Sequence, residues 1–300
     1  MTSLKSDAFS SFHPTVNMLY FIAVIGFSMF FMHPISLGIS MICAFAYALY
    51  LHGKKAVKAG FVMIPMMVSA AVLNPLFNHQ GSTILAFLPN GNPLTLESIM
   101  FGIAAAVVLG TVFAWFSCFN AVMTSDKFIY LLGRVIPALS LILSMALRFV
   151  PRFRAQIKAV ANAQKGIGRD ISSGNFLQKA RHGIRILSIM VTWSLENAIE
   201  TADSMKSRGY GLPGRTAFSV FRFTKRDAWA LVYIFACSGT IIIGAVLEIF
   251  RFRYFPTIMH ISENPRVTIV LFILHFALCI FPPVVNLKED LTWKRIESKI

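Results

Sequence analysis

The chain has 300 residues, 56% of them hydrophobic, only 14% charged, with a mean hydropathy of +0.66 and a formal net charge of +15. A soluble domain carries nearer a quarter charged residues, so a soluble globular protein is excluded. The stretches Ala8–Gly53, Ala59–Leu96 and Ser98–Ser125 contain no Lys, Arg, Asp or Glu, and uncharged runs of that length, rich in Leu, Ile, Phe and Val, read as membrane-spanning helices rather than a cleaved leader.

In chain order, spans are expected near 17–33, 34–51, 60–77 and 98–118, with Pro34 breaking the first hydrophobic run into a tight helical hairpin. The loop Asn78–Glu97 has no Lys or Arg, whereas His52–Lys58 holds three Lys, which places the first outside and the second in the cytoplasm. Within the outer loop, Asn78-His79-Gln80 reads as a capped turn. Val135–Leu147 is apolar but only 13 residues long between Arg134 and Arg148. At about 1.5 Å per residue it reaches ~20 Å, short of a ~30 Å hydrocarbon core, so it is expected as a helix lying in or near the cytoplasmic interface, with a seventh span of compensating topology as the alternative.

The stretch 148–226 carries 15 Lys and Arg against Asp170, Glu196, Glu200 and Asp203, most of the chain's positive charge, and is expected to be cytoplasmic. Pro151 reads as the start of an amphipathic helix with Phe153, Ile157 and Val160/Ala161 on one stripe, ending near the glycines of KGIG. A polar turn follows, then a second helix from about Ile184 to Ser207. Its stripe is Leu187, Met190/Val191, Leu195, Ala198, Ala202 and Met205, and it ends at SRGYG with Arg208 at the carboxyl terminus. Two further spans, 228–250 and 268–286, return both termini to the cytoplasm. The chain thus divides into a four-span part (1–127), an interfacial and cytoplasmic helical part (128–226) and a two-span part (227–300), an all-α polytopic membrane protein with about six spans.

Gly209–Thr216 reads G-x-x-x-x-G-R-T, one residue from a nucleotide-binding P-loop. A P-loop follows a strand and opens a helix. Here a helix precedes Gly209, Pro213 lacks an amide hydrogen, and Arg215 replaces the lysine, so ATP binding is not expected. No metal or cofactor site is expected either: Cys43, Cys118, Cys237 and Cys279 lie unpaired in apolar stretches, and the histidines are scattered without catalytic spacing. A proton-coupled transporter needs ionisable groups at mid-membrane. Glu97, Asp126, Asp227 and Glu248 sit near span ends, and His275 alone is clearly mid-span. An ion-coupled transporter, and a scaffold whose basic region binds anionic lipid without an ATPase, stand as alternatives.

SMKSRGYG (Ser204–Gly211) and ALRFVPRFRAQIKAVANAQKG (Ala146–Gly166), in this order after the early hairpin and NPLFNHQGST (Asn74–Thr83), resemble the T component of energy-coupling factor (ECF) transporters, the CbiQ-type membrane scaffold. The resemblance implies a non-catalytic subunit of a prokaryotic plasma-membrane importer. It would couple two ABC-type ATPase subunits to a small substrate-capturing membrane S component through two cytoplasmic helices, each ending in an Ala-Arg-Gly-type signature. Ser207-Arg208-Gly209 matches the second signature, with serine for the usual alanine. Gly166-Ile167-Gly168 stands at the first, where Ile167 replaces arginine and Lys165 and Arg169 are the neighbouring cations.

Overall fold

The computed structural model describes residues 7–87, 89, 91–170, 175–212, 221–249, 252–260 and 265–298. Nine α-helices account for nearly all of the secondary structure among these residues: α1 (Pro14–Phe30), α2 (Pro34–His52), α3 (Lys54–Phe77), α4 (Leu96–Val122), α5 (Ser125–Val135), α6 (Pro137–Gly166), α7 (Phe176–Ser207), α8 (Lys225–Val246) and α9 (Pro265–Glu297). The chain forms two compact units, one from residues 1–128 and 221–300, the other from residues 129–220.

In the first unit, α2, α3, α4, α8 and α9 are long and apolar enough to cross a membrane; α1, at 17 residues, is the shorter apolar helix beside them. At ~1.5 Å per residue α1 reaches ~25 Å, the low end of a spanning length. Helices in lipid gain little from burying apolar surface and associate where small residues let backbones approach. A Cβ on Gly102 of α4 would stand 2.6 Å from the Ala71 carbonyl of α3, and one on Gly244 of α8 would stand 2.5 Å from a Leu271 methyl of α9. Polar groups inside the bundle bond to one another: Trp115 Nε1 donates to Ser40 Oγ (3.0 Å), and the Ser28 and Ser40 hydroxyls lie 2.7 Å apart. His275 is buried with Nε2 3.7 Å from Cys279 Sγ and its ring edge-on to Phe27. The four cysteines are all buried and free.

A short plug closes one end of this unit. A 3-10 turn at Phe9–Ser11 precedes α1, and fully buried Phe9 meets the rings of Phe12, Tyr20, Phe21, Tyr47 and Phe281 at 5.1–6.4 Å. The Phe9 amide donates to Asn286 Oδ1 of α9 (3.0 Å), and Tyr47 Oη of α2 donates to Asp7 (3.0 Å). Lys127 Nζ, on a side chain 5% exposed, donates to Ser10 O (2.6 Å), Ser10 Oγ (3.0 Å) and Val122 O (2.9 Å) at the carboxyl end of α4, where a helix dipole favours a cation. The Asn17 carboxamide, turned to satisfy both its groups, accepts from Lys127 (3.1 Å) and donates to Phe9 O (3.0 Å).

Two acids near span ends act as clamps. Asp227 accepts from Thr224 N–H and Oγ–H (2.8 and 2.6 Å), starting α8, and from the His13 amide (2.9 Å), tying α8 to the entry of α1. Glu97 gathers the connection before α4, accepting from Ser82 Oγ (3.2 Å), Thr83 Oγ1 (2.9 Å) and the Thr83 amide (3.2 Å). Gly81, at φ +144°, lets the backbone pass where a Cβ would lie 2.5 Å from this carboxylate. The same connection holds a hairpin, β1 (Ile84–Phe87) with β2 (Pro93–Thr95), antiparallel and bulged between Ile84 and Ala86; Asn78 caps its own turn by accepting from the Gln80 amide (3.2 Å). A second small hairpin pairs β3 (Phe252–Arg253) with β4 (Met259–His260).

The second unit departs from the expected layout in three places. Val135–Leu147 is not a separate interfacial helix. Val135 ends α5, and the following residues form the first third of α6, which continues to Gly166 through Pro151. A proline here deletes one i→i−4 bond without ending a helix whose flanking turns are intact. α5 itself was not expected. α7 begins at Phe176 rather than Ile184, since Asn175 starts it: its amide donates back to Gln178 Oε1 (3.2 Å), half of a capping box.

Candidate functional site: two helix ends and the cleft beside them

The second unit is built on α6 and α7. Trp193 of α7 meets the Phe153 ring edge-on (5.4 Å) and lies under the Arg152 guanidinium (5.5 Å to the ring centre). Either side of this contact lies open space. Towards the start of α7, Phe153, Ile157, Ile186, Leu187, Met190 and Leu195 line an apolar groove of about 400 Å³. Ile186 and Met190 are buried there, but Leu187, Val191 and Leu195 of the expected stripe stay largely exposed, Leu187 at 63%. Towards the end of α7, Leu141, Ser144, Met145, Arg148 and Arg152 of α6 face Asn197, Glu200, Thr201, Ser204, Met205, Arg208 and Tyr210 across a polar cleft of about 490 Å³.

The two signature segments end their helices in the same way. At the end of α6, Gly168 (φ +78°) donates to Lys165 O (3.0 Å) and Arg169 donates to Gln164 O (2.9 Å). At the end of α7, Gly209 (φ +78°) donates to Lys206 O (2.9 Å) and Tyr210 donates to Met205 O (3.0 Å). Both are Schellman caps, in which a residue past the helix turns left-handed and two amides close on the last carbonyls. The left-handed position explains the glycine that ends each signature, since a Cβ there is sterically penalised. Ile167 and Arg208 occupy the equivalent last position before that glycine, with φ, ψ of −98°, 21° and −88°, 11°.

The remaining candidate residues fall around these caps. Ser207 is exposed and its hydroxyl donates back to Asp203 O (2.9 Å), as serine does along a helix. Gly166 is the last residue of α6 with open space where a Cβ would lie. Lys165 is paired with Asp170 across the turn (3.4 Å), Arg169 is exposed, and Ile167 presents an apolar side chain 61% exposed where Arg208 presents a guanidinium. The two segments end different helices, the first α6 and the second α7, and the 32 residues of α7, about 48 Å of helix at ~1.5 Å each, lie between them in the chain.

Arg148 and Arg152 join Arg208 in the polar cleft, a grouping the sequence reading missed. Ser144, Arg148 and Arg152 are spaced i, i+4, i+8, one face of a helix, a signal visible only once α6 runs unbroken through Pro151. For the G-x-x-x-x-G-R-T stretch, Gly209 follows a helix and not a strand; Pro213, Gly214, Arg215 and Thr216 lie outside the described residues. Among the described residues no group of three or more His, Cys, Asp or Glu side chains could hold a metal.

The family model described as CbiQ, cobalt transport protein, matches residues 6–219. Among curated proteins, the chain is similar to the energy-coupling factor transporter transmembrane protein EcfT of Lactobacillus helveticus, 36% identical over 106 residues that cover 35% of this chain and 38% of that protein. It is similar to the protein of the same name from Lactococcus lactis subsp. cremoris, 38% identical over 97 residues (32% and 36% of the two chains). A Mycoplasma pneumoniae protein described as an uncharacterized MG181 homolog is 30% identical over 168 residues, covering 50% of this chain and 37% of that one. The chain thus spans less than half the length of each of these relatives. The family match covers more than half of the chain, both signature segments included, and with the all-helical membrane fold it makes this protein a member of the CbiQ family.

Proposed function

We propose that this chain is the transmembrane scaffold of an ATP-driven importer of the energy-coupling factor type, seated in a bacterial plasma membrane with both termini in the cytoplasm. It carries no catalytic machinery of its own. Two ABC-type ATPase subunits supply the energy, docking at the carboxyl ends of α6 and α7, and a small membrane S component supplies the substrate. One observation carries this reading: the two signature segments form the same Schellman cap, one at the carboxyl end of α6 and one at the carboxyl end of α7, each presenting one residue at an equivalent place. Two like caps, one on each helix of the pair, suit two partner subunits better than one. They are chemically unlike, apolar at Ile167 and cationic at Arg208, which suits two ATPases that are not identical. The apolar groove beside Phe153 and Leu187 is a surface suited to the apolar S component.

Arg208 is the residue to test. Breaking a hydrogen-bonded, desolvated interfacial charge pair costs about 2–5 kcal/mol, while an exposed pair is worth only ~0–1 kcal/mol. Arg208→Glu should therefore abolish co-purification of the ATPase docked at α7 while leaving chain abundance in the membrane unchanged. Arg208→Lys should be partly tolerated, since a lysine keeps the charge without the guanidinium fork. Arg222→Glu, an exposed site in the other unit, is the charge-matched control. Wild-type assembly and transport by Arg208→Glu would reduce Arg208 to a helix cap and remove the ground for this reading.

A further inference from the structure

The hairpin between α3 and α4 is apolar and carries no charge. Residues 59–96 contain no Lys, Arg, Asp or Glu, and the Glu97 carboxylate beyond them is taken up by Ser82 and Thr83. Along β1, Ile84, Leu85 and Phe87 are 51%, 55% and 69% exposed, and Ala86 is exposed with them. Successive residues of a strand point to opposite faces, so β1 offers apolar side chains on both. A contiguous apolar patch of this kind marks a contact surface.

The way the hairpin lies follows from one bond and one bulge. Extended at ~3.3 Å per residue, the chain from His79 to Phe87 would carry the turn about 26 Å away from the end of α3. Instead Asn92, next to the Phe87–Pro93 pair, stands with Nδ2 3.1 Å from His79 Nε2, and His79 follows the last residue of α3 by two positions. The bulge between Ile84 and Ala86 supplies the bend, and β2 packs against α3 as well as α4. The hairpin is turned back across the Phe77 end of α3.

α3 is the edge of the bundle. Of its 24 residues only Ala56 and Pro75 are buried, and Val72, Leu73, Leu76 and Phe77 near its end are exposed. This surface of a membrane-spanning helix continues into β1 with no charged residue between. A docked protein would cover one face of the strand and leave the other in water, whereas the boundary between headgroups and acyl chains accommodates both. Each strand of a two-stranded hairpin also keeps one edge of unpaired backbone groups. Hydrocarbon cannot satisfy these, so the hairpin stops at that boundary.

We propose that the β1–β2 hairpin lies in the membrane interface beside the Phe77 end of α3, with Ile84, Leu85 and Phe87 among the upper acyl chains. It acts as an outrigger that holds the least buried helix of the bundle against the bilayer. The proposal rests on the membrane fold and not on the docking of an ATPase or an S component.

The test uses the full chain, one copy per nanodisc of dioleoyl phosphatidylcholine, with a nitroxide on a single introduced cysteine. The four native cysteines are buried, and the unsubstituted chain carried through labelling gives the background. Electron paramagnetic resonance then compares collisions with oxygen, which concentrates in lipid, and with a nickel chelate, which stays in water. For Leu85→Cys and Phe87→Cys the oxygen-to-nickel ratio should be about threefold or more above that of Gln80→Cys, an exposed polar position of the same connection, and close to that of Phe77→Cys. Adding Ile84→Asp to the Phe87→Cys chain should bring the ratio down to the Gln80 value, and because Ile84 is exposed the fold is kept. A ratio at Leu85 and Phe87 equal to that of Gln80 would place the hairpin in water and overturn the proposal. Shielding from both reagents would also overturn it and assign the hairpin to a second copy of the chain. So would an unchanged ratio in the Ile84→Asp variant, since a carboxylate must lift a lipid-seated strand.

Discussion

Replacing Gly209 by alanine tests whether the cap that ends α7 holds Arg208 in place. Gly209 sits at φ +78°, and a Cβ built there would lie 3.1 Å from a Leu212 methyl at the end of a flexible side chain. The left-handed conformation costs an L-residue about 1–2 kcal/mol. Against this, alanine lowers the entropy of the unfolded chain and returns ~0.4–1 kcal/mol. The difference spans about 0–1.6 kcal/mol with a midpoint near 0.8, and the Leu212 contact adds to it, so about twofold to tenfold is expected in the equilibrium for opening the last turn. The sensitive probe is the Tyr210 amide, which closes the motif on Met205 O at 3.0 Å. Hydrogen exchange of the purified chain should show that amide exchanging about twofold to tenfold faster in Gly209→Ala, with the middle of α7 unchanged. Gly168→Ala, at the same φ but with no neighbour within 4 Å, should show the smaller part of that range at the Arg169 amide. Unchanged or slower exchange at Tyr210 would mean that the left-handed glycine is not what ends α7, and the equivalence of the two caps would fail with it.

Gly166→Ala should act in the opposite direction, since the site is helical with free space: a gain of up to ~1 kcal/mol, read as slower exchange in the last turn of α6. Glu97→Ala strands the Thr83 amide and should cost about 1.5–3 kcal/mol, seen as a lower melting temperature and faster proteolysis between residues 78 and 95. Burial pushes the Lys127 amine down to about 8 from 10.5, against the pull of the Asp7 carboxylate. The unfolded chain then binds more protons than the folded one between those values, so stability should rise with pH across that window, by at most about 3 kcal/mol. Lys127→Met should flatten the rise, and an equally steep rise in that variant would clear Lys127 of responsibility for it.

The membrane helices were legible because lipid imposes a strict rule: about twenty residues without charge, broken where a proline or a charged loop intervenes. α2, α3, α4, α8 and α9 follow that rule, and α1 was found beside them because Pro34 marks where it stops. α5 was missed because its 11 residues mix Asp126, Lys127 and Arg134 with apolar ones directly after an uncharged run. Pro151 misled for a physical reason: a proline is favoured in the first turn of a helix and costly in its interior, yet α6 tolerates one there. Asn175 and Gln178 carried a readable capping signal that the polar turn around them concealed. The hairpin before α4 was read only as a loop, although the sequence holds an Asn-Gly pair between its strands. Periodicity marked α7 as amphipathic but could not say what covers Leu187 and Leu195, since pattern records a face and not its neighbour. The helix ends were read from Gly168 and Gly209, whereas the arginine cleft needed two helices in register.

The plug at Phe9 sets the order of events at the ribosome. The Phe9 amide waits for Asn286, 277 residues later in the chain. At synthesis rates of about 5–20 residues per second, roughly 15–55 s pass between the two, during which α1 and α2 are already made. Throughout that interval the Phe9 amide and the face of its ring that meets Phe281 lack their partners, although Tyr20, Phe21 and Tyr47 are already at hand. A nascent chain stalled before α9 should therefore leave its amino-terminal segment more accessible to protease than in the finished protein, and release of the last helix should complete its protection.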